Sequence, residues 1–274
     1  MKLGSCSLTL QEPRLIGIVN NTPDSFSGDG CGGDVERAAR MGFDLFEEGA
    51  DIVDVGGEST RPGADPVTIK VELERTIPVV EMLARRHSNM ISIDTMKPEV
   101  AQSALLAGAT IVNDVSGLRN PKMIEVVAEY DAAVIIMHML GEPRDMQVRP
   151  VYKDVVREVR SYLEDRIAAA EKCGVSPRKI LVDPGIGFGK TLVHNIELLA
   201  DLGELKSLGK PIVVGVSRKS FIGRITGAPE DKRLEGSIAA GLLAVRNGAN
   251  ILRVHDVLET ARALKVAMAI WSAE

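Results

Sequence analysis

Cysteine and histidine are scarce in this chain. Its three cysteines, Cys6, Cys31 and Cys173, stand far apart. Their spacing matches no disulfide framework and suits a reducing, cytoplasmic compartment. The four histidines form no His-x-His or His-Glu-x-x-His pattern, which argues against a dedicated structural zinc. Long apolar runs are missing too. None reaches about 18 residues, so no segment is expected to span a membrane. The opening MKLGSCSLTLQEPRL lacks the apolar centre of a secretory signal. Positive charge is not in excess: 33 Lys and Arg face 38 Asp and Glu, a net charge of -5. That gives nonspecific nucleic-acid binding no support and leaves room for a local basic pocket. Nucleotide-loop fingerprints fail as well. In DPGIGFGKT (183–191), Pro184 stands where the first glycine of a P-loop belongs, and no G-x-G-x-x-G is present there. Its alternating glycines predict a loop closely approached by a ligand or a neighbouring strand.

What is present is a rhythm. Short β-branched runs recur at 14–20, 51–57, 90–95, 110–116, 132–138, 179–185, 211–217 and 250–256. Most begin without polar alternation, as expected of parallel strands covered on both faces. Helical patterns fill 35–48, 71–86, 99–107, 122–130, 151–173, 195–208, 230–247 and 257–271. Several end at a glycine suited to a left-handed cap, namely Gly49, Gly108, Gly174 and Gly248. Eight strand–helix units predict a closed (β/α)8 barrel, with an open doubly wound sheet as the alternative. No linker or low-complexity stretch interrupts the rhythm, so residues 1–274 read as one domain.

Polar residues gather where the runs end. Asn20, Asp94, Asn113, Asp114, His138 and Asp183 close five of them, and Asp54 interrupts another. Ser217, Arg218 and Lys219 follow the seventh, and Arg253 and His255 lie on the eighth. Any one of these has a bland reading, such as a helix cap or a structural histidine. Their recurrence at one end of the barrel marks an active site. Asp94, Asn113, Asp183 and Lys219 offer acceptors and donors for a polar heterocycle. Asn20, Ser59, Thr60, Arg61, Arg218, Ser220, Arg253 and His255 offer groups for an anion. A hydrolase or an aldolase-type lyase remains open from these residues alone. Lys219 follows a strand rather than sitting on one, which makes it a poor Schiff-base lysine.

Taken in order, eight motifs resemble those of the dihydropteroate synthases, the folate-pathway enzymes that sulfonamides inhibit. They are IVNNTPDSFS (18–27), DIVDVGGESTRPGA (51–64), SIDT (92–95), IVNDVSG (111–117), IIMHM (135–139), DPGIGFGK (183–190), VGVSRKSFIG (215–223) and RVHDV (253–257). The resemblance implies a TIM barrel, usually a homodimer. It also implies a reaction that joins a dihydropterin diphosphate to 4-aminobenzoate by an SN1-like route, with Mg2+. It assigns the pterin to Asp94, Asn113, Met137, Asp183 and Lys219. It assigns the diphosphate to Asn20, Thr60, Arg61, Ser220, Arg253 and His255, with Asn20 as the metal ligand. It assigns 4-aminobenzoate to Thr22, Pro23, Phe26, Ser59, Thr60, Arg61, Pro62, Phe188, Lys219 and Ser220. Catalytic roles fall to Asp94, Asp183, Lys219, Arg253 and His255, and to Asp24 on a mobile loop. One departure stands out: Ser27 is followed by Gly28, Asp29 and Gly30 where the family usually continues Asp-Gly-Gly. The rival resemblance is a pterin-dependent methyltransferase of similar barrel form. A catalytically weak partner or scaffold barrel is a further rival. The motifs TPDSF, ESTRPG and SRKSF favour the synthase.

Overall fold

The structure, a computed structural model, describes residues 2–3, 6–22, 31–61, 63–86 and 90–273. A two-stranded antiparallel hairpin comes first, β1 (Lys2–Leu3) with β2 (Cys6–Ser7). Strands of two residues are too short to leave a periodic signal, and the sequence does not announce them. Eight parallel strands follow: β3 (Arg14–Asn20), β4 (Ile52–Gly56), β5 (Met90–Asp94), β6 (Ile111–Asp114), β7 (Ala133–Met137), β8 (Ile180–Asp183), β9 (Val213–Gly215) and β10 (Ile251–Val254). They neighbour one another in the order β8-β7-β6-β5-β4-β3-β10-β9. A parallel bridge between Val182 and Ile212 joins the two ends of that order, and Val182 N donates to Pro211 O at 3.0 Å. The sheet closes on itself, so the open alternative is excluded.

Side chains alternate between the inside of the barrel and the helix layer, with the period of two that a strand imposes. Past Arg14 at the start of β3, the first inward position of each strand is apolar. Ile16, Ile52, Met90, Ile111, Ala133, Leu181, Val213 and Ile251 form a buried floor together with Leu8. Covering one large side chain of this kind contributes about 1.5–3 kcal/mol. The outward positions, such as Val53, Val55, Ile91, Ile93, Val134, Ile136, Val214 and Leu252, join the larger core against the helices. Above the floor six inward positions are polar: Asp54, Ser92, Asp94, Asn113, Asp183 and Arg253.

The helices are α1 (Val35–Glu47), α2 (Ile69–Arg86), α3 (Pro98–Ala107), α4 (Pro121–Glu129), α5 (Val155–Lys172), α6 (Leu192–Ala200), α7 (Ser220–Thr226), α8 (Leu234–Arg246) and α9 (Val257–Trp271). Three differ from expectation. The stretch 151–173 begins its helix only at Val155, because Asp154 caps it by accepting from Arg157 N. The stretch 195–208 divides into α6 and a 3-10 segment, Leu202–Leu208. The stretch 230–247 yields α8 behind a short 3-10 turn, Glu230–Lys232, while α7 forms ahead of it. The four helix-end glycines take positive φ, from 95° at Gly174 to 124° at Gly248. No helix among the described residues is long and apolar enough to cross a membrane.

Candidate active site

The C-terminal ends of the strands and the loops that follow them enclose a cavity of about 370 Å³. Every expected site residue that falls within the described residues lines it. From the barrel these are Asn20, Asp94, Asn113, Met137, Asp183, Arg253 and His255; from the loops, Thr22, Ser59, Thr60, Arg61, Phe188, Lys219 and Ser220. Pro23, Asp24, Phe26 and Pro62 lie outside the described residues, as do Gly28, Asp29 and Gly30.

Arg253 sits at the centre of the charge arrangement. Its Nε donates to Asp54 Oδ2 at 2.6 Å and its Nη2 to Asp94 Oδ2 at 2.8 Å. The residue expected to greet an anion is thus first the counter-ion of two buried carboxylates. Asp94 Oδ1 is buried with no donor, an acceptor left for something else. Burial pushes the Asp94 carboxyl up to about 7 against the pull of Arg253, and the nearby Asp54 adds to the rise. Asp183 is pushed up to about 6, also by burial, while Gly185 N and Lys219 oppose it. Gly185 N donates to Asp183 Oδ1 at 2.7 Å. The Lys219 ammonium is brought down to about 8 by loss of water, and Arg253 adds to that fall. It lies 4.2 Å from the centre of the Phe188 ring, a cation–π contact. Next to these charges, Val115, Met137, Met139 and Met146 make a buried apolar wall, with Met96 and Phe188 packed against it.

The loop after β8 owes its shape to glycine. At Gly185 φ is 68°, and a Cβ there would lie 1.9 Å from His138 O. No other residue fits such an approach. Lys190 fastens the far end of the loop. It is 2% exposed, its Nζ is 2.9 Å from His138 Nδ1, and it donates to the Phe188 carbonyl at 2.9 Å. Burial brings Lys190 down to about 7. Burial also brings His138 down to about 2, with Lys190 adding to the fall, so the imidazole is neutral.

Three residues singled out by sequence do other work. His138 points away from the cavity, to Lys190. Asp114 caps the amides of Ser116 and Leu118 at 2.8 and 2.9 Å. Arg218 lines the cavity with its guanidinium forked onto Asp256 at 2.6 and 3.2 Å. Glu230 and Arg233, which the sequence reading passed over, also line the cavity. Glu230 Oε1 accepts from Arg61 Nη2 at 2.9 Å, tying the loop after β4 to the turn behind α7. The pair is more than a third exposed on each side, so it holds weakly.

Buried carboxylates and cations thus stand beside an apolar wall at the mouth of a (β/α)8 barrel. Residues 16–255 match the family described as "Pterin binding enzyme". The chain is 46% identical over 268 residues to the dihydropteroate synthase of Escherichia coli (strain K12), covering 98% of this chain and 95% of that one. It superposes on the Yersinia pestis dihydropteroate synthase solved with a sulfonamide drug complex with a TM-score of 0.96, at 40% identity and with 99% of both chains covered. The Xanthomonas albilineans dihydropteroate synthase in complex with 7,8-dihydropteroate gives a TM-score of 0.87 at 46% identity, over 96% of this chain and 95% of that one. The chain belongs to the dihydropteroate synthase family of pterin-binding enzymes.

Proposed function

We propose that this cavity condenses 6-hydroxymethyl-7,8-dihydropterin diphosphate with 4-aminobenzoate, giving 7,8-dihydropteroate and diphosphate. The observation that carries the reading is the pairing of buried Asp94 and Asp183 with the apolar wall around Met137. An amino-pyrimidine edge donates N–H groups that carboxylates accept, and its ring face packs on the methionines. Asn113 adds a further polar contact. Lys219, at the wall's edge, meets both the pterin and the second substrate, whose aromatic ring lies near Phe188 and Ser220. Ser59, Thr60 and Arg61 close over that ring. Thr60, Arg61, Ser220, Arg253 and His255 take up the diphosphate. His255 Nδ1 is held 3.0 Å from Ser217 Oγ, which fixes the ring's orientation.

The reaction breaks the bond between the pterin methylene and the diphosphate oxygen, and the electron pair leaves with the oxygen. The arylamine nitrogen then forms the new C–N bond and releases a proton. Asp94 and Asp183 lie where positive charge develops on the pterin, and the cations lie where the departing diphosphate gathers negative charge. Enclosure of the site keeps water from the cation. Asn20 would hold Mg2+ through its amide oxygen. One such ligand fits an ion that keeps most of its waters and takes the rest of its oxygens from substrate phosphates. The ion supplies charge neutralisation for the leaving group.

A homodimer in the cytoplasm completes the reading. Val193 and Ile196 on α6, Ile225 on α7, Leu243 on α8 and Val266 and Ile270 on α9 are exposed apolar residues, a surface that a second copy would cover. Cys173 is an exposed free thiol, as suits a reducing compartment.

Purified protein given both substrates and Mg2+ is expected to produce dihydropteroate and diphosphate in equal amounts, read by mass spectrometry and a phosphate assay after pyrophosphatase. Absence of product would refute the proposal. The pH profile follows from the same groups. Asp183 near 6 and Asp94 near 7 must lose their protons, and Lys219 near 8 must keep its own. kcat/KM therefore rises through pH 6 to 7 and falls above about 8. A flat profile between those limits would remove these groups from the mechanism.

A further inference from the structure

Asp54 has no place in the reading above. It is fully buried and lies two residues before the end of β4, one inward position deeper than Gly56, whose register partner is Asp94. Its Oδ2 accepts twice, from Arg253 Nε at 2.6 Å and from Asn113 Nδ2 at 3.0 Å. Both donors line the cavity and Asp54 does not.

A carboxylate oxygen only accepts, so the amide of Asn113 has one permitted orientation against it. The NH2 group turns down to Asp54 and the carbonyl oxygen turns up. Without Asp54, either end of the amide could face the ligand at similar cost. The guanidinium of Arg253 is constrained in the same manner. With Nε on Asp54 and Nη2 on Asp94, one side of the fork is spent, and Nη1 makes no hydrogen bond among the described residues.

We infer that Asp54 is a positioning residue. From beneath the cavity it fixes Asn113 with its amide oxygen toward the pterin and Arg253 with its terminal nitrogen toward the diphosphate. The inference rests on the pterin reading of the cavity. It assigns one buried oxygen the task of setting the polarity of two ligand contacts that lie 140 residues apart in the chain (113 to 253).

The test is calorimetric titration with 6-hydroxymethylpterin, with thermal melting as a check on folding. Asp54→Leu removes the acceptor, and it weakens pterin binding at least 20-fold. Asp54→Asn keeps an oxygen where Oδ2 stands, and it binds within about threefold of the parent. Asn113→Asp retains an acceptor toward the ligand and sets its other oxygen against Asp54, so like charges face each other. That variant loses at least 20-fold. Asp54→Asn/Asn113→Asp relieves the repulsion and recovers at least fivefold. A merely structural role for Asp54 would not produce recovery on adding a second substitution. Parent-like binding by Asp54→Leu, or a double variant no tighter than Asn113→Asp, overturns the inference. If Asp54→Leu does not fold, the isosteric pair decides alone. Failure of the parent protein to bind 6-hydroxymethylpterin would instead refute the pterin reading.

Discussion

Asp94→Ala lowers kcat/KM by about ten- to a hundredfold and destabilises the fold. Two losses combine. The first is a charge-assisted hydrogen bond to the ligand, worth about 1.5–3 kcal/mol. The second is one of the two carboxylates that hold Arg253, whose Nη2 donates to Asp94 Oδ2 at 2.8 Å. Removing one partner of a buried pair costs about 3–5 kcal/mol when nothing replaces it. Asp54 still holds Nε, so the lower end of that range applies. The second loss lowers folding stability, and the first lowers kcat/KM by roughly one to two powers of ten. The loss divides between a weaker pterin Kd and a lower kcat, since the same carboxylate both holds the ring and faces the charge that develops on it. Steady-state kinetics with titration of the pterin read both parts. A variant with parental kinetics and pterin affinity would show that Asp94 has no role in the site.

Arg253→Ala damages stability as well as activity. It strands Asp54 and Asp94, two buried carboxylates that now share one cation. Leaving such charge uncompensated costs about 3–5 kcal/mol. In a chain of this size that is about 10 °C in Tm. The pH dependence has a definite sign. The Asp94 carboxyl already stands near 7 with Arg253 present, above its ordinary 3.8, and removing the cation raises it further. A carboxyl raised in the folded state favours folding below its unfolded pKa, and that advantage is lost as pH rises through the folded value. The Tm deficit of Arg253→Ala is therefore largest near pH 8 and shrinks toward pH 5. Turnover falls at least a hundredfold, because the diphosphate loses a contact that strengthens as it departs. Arg253→Lys restores part of the Tm and little of the rate, since an ammonium supplies charge without the fork. A deficit that grows toward acid would contradict this assignment.

Much of this arrangement could be read before any coordinates. The barrel is legible because buried parallel strands must be β-branched runs, and because a strand that turns polar at its C-terminal end needs a reason. Asp94, Asn113, Asp183 and Arg253 were found on that ground. His138 and Asp114 were misplaced for want of parity. Met137 and Asn113 face inward, so the residue after each faces out, where His138 meets Lys190 and Asp114 caps a turn. Asp54 was visible as a break in an apolar strand. Its task was not, because its partner Arg253 is 199 positions away and only closure of the barrel brings them together. Lys190 closes a recognised motif, but its burial was not legible. A lysine in a glycine loop reads as solvated, and the acceptors that allow its burial come from a different strand and from the loop's own backbone. The short α7 was missed because seven residues are too few for a period to emerge.

The apolar floor of the barrel bears on traffic. Ile16, Ile52, Ile111, Leu181, Val213 and Ile251 fill the end of the barrel below the cavity, so ligands enter from the loop side. On the proposed reading, the pterin lies deep, beside Asp94 and Asn113, and the arylamine lies further out, beside Lys219 and Ser220. Whatever stands at the threshold blocks passage to the depths. That reading predicts that the pterin diphosphate binds before its partner, which product-inhibition kinetics would check. Under that reading, depth in the barrel alone sets which substrate comes first.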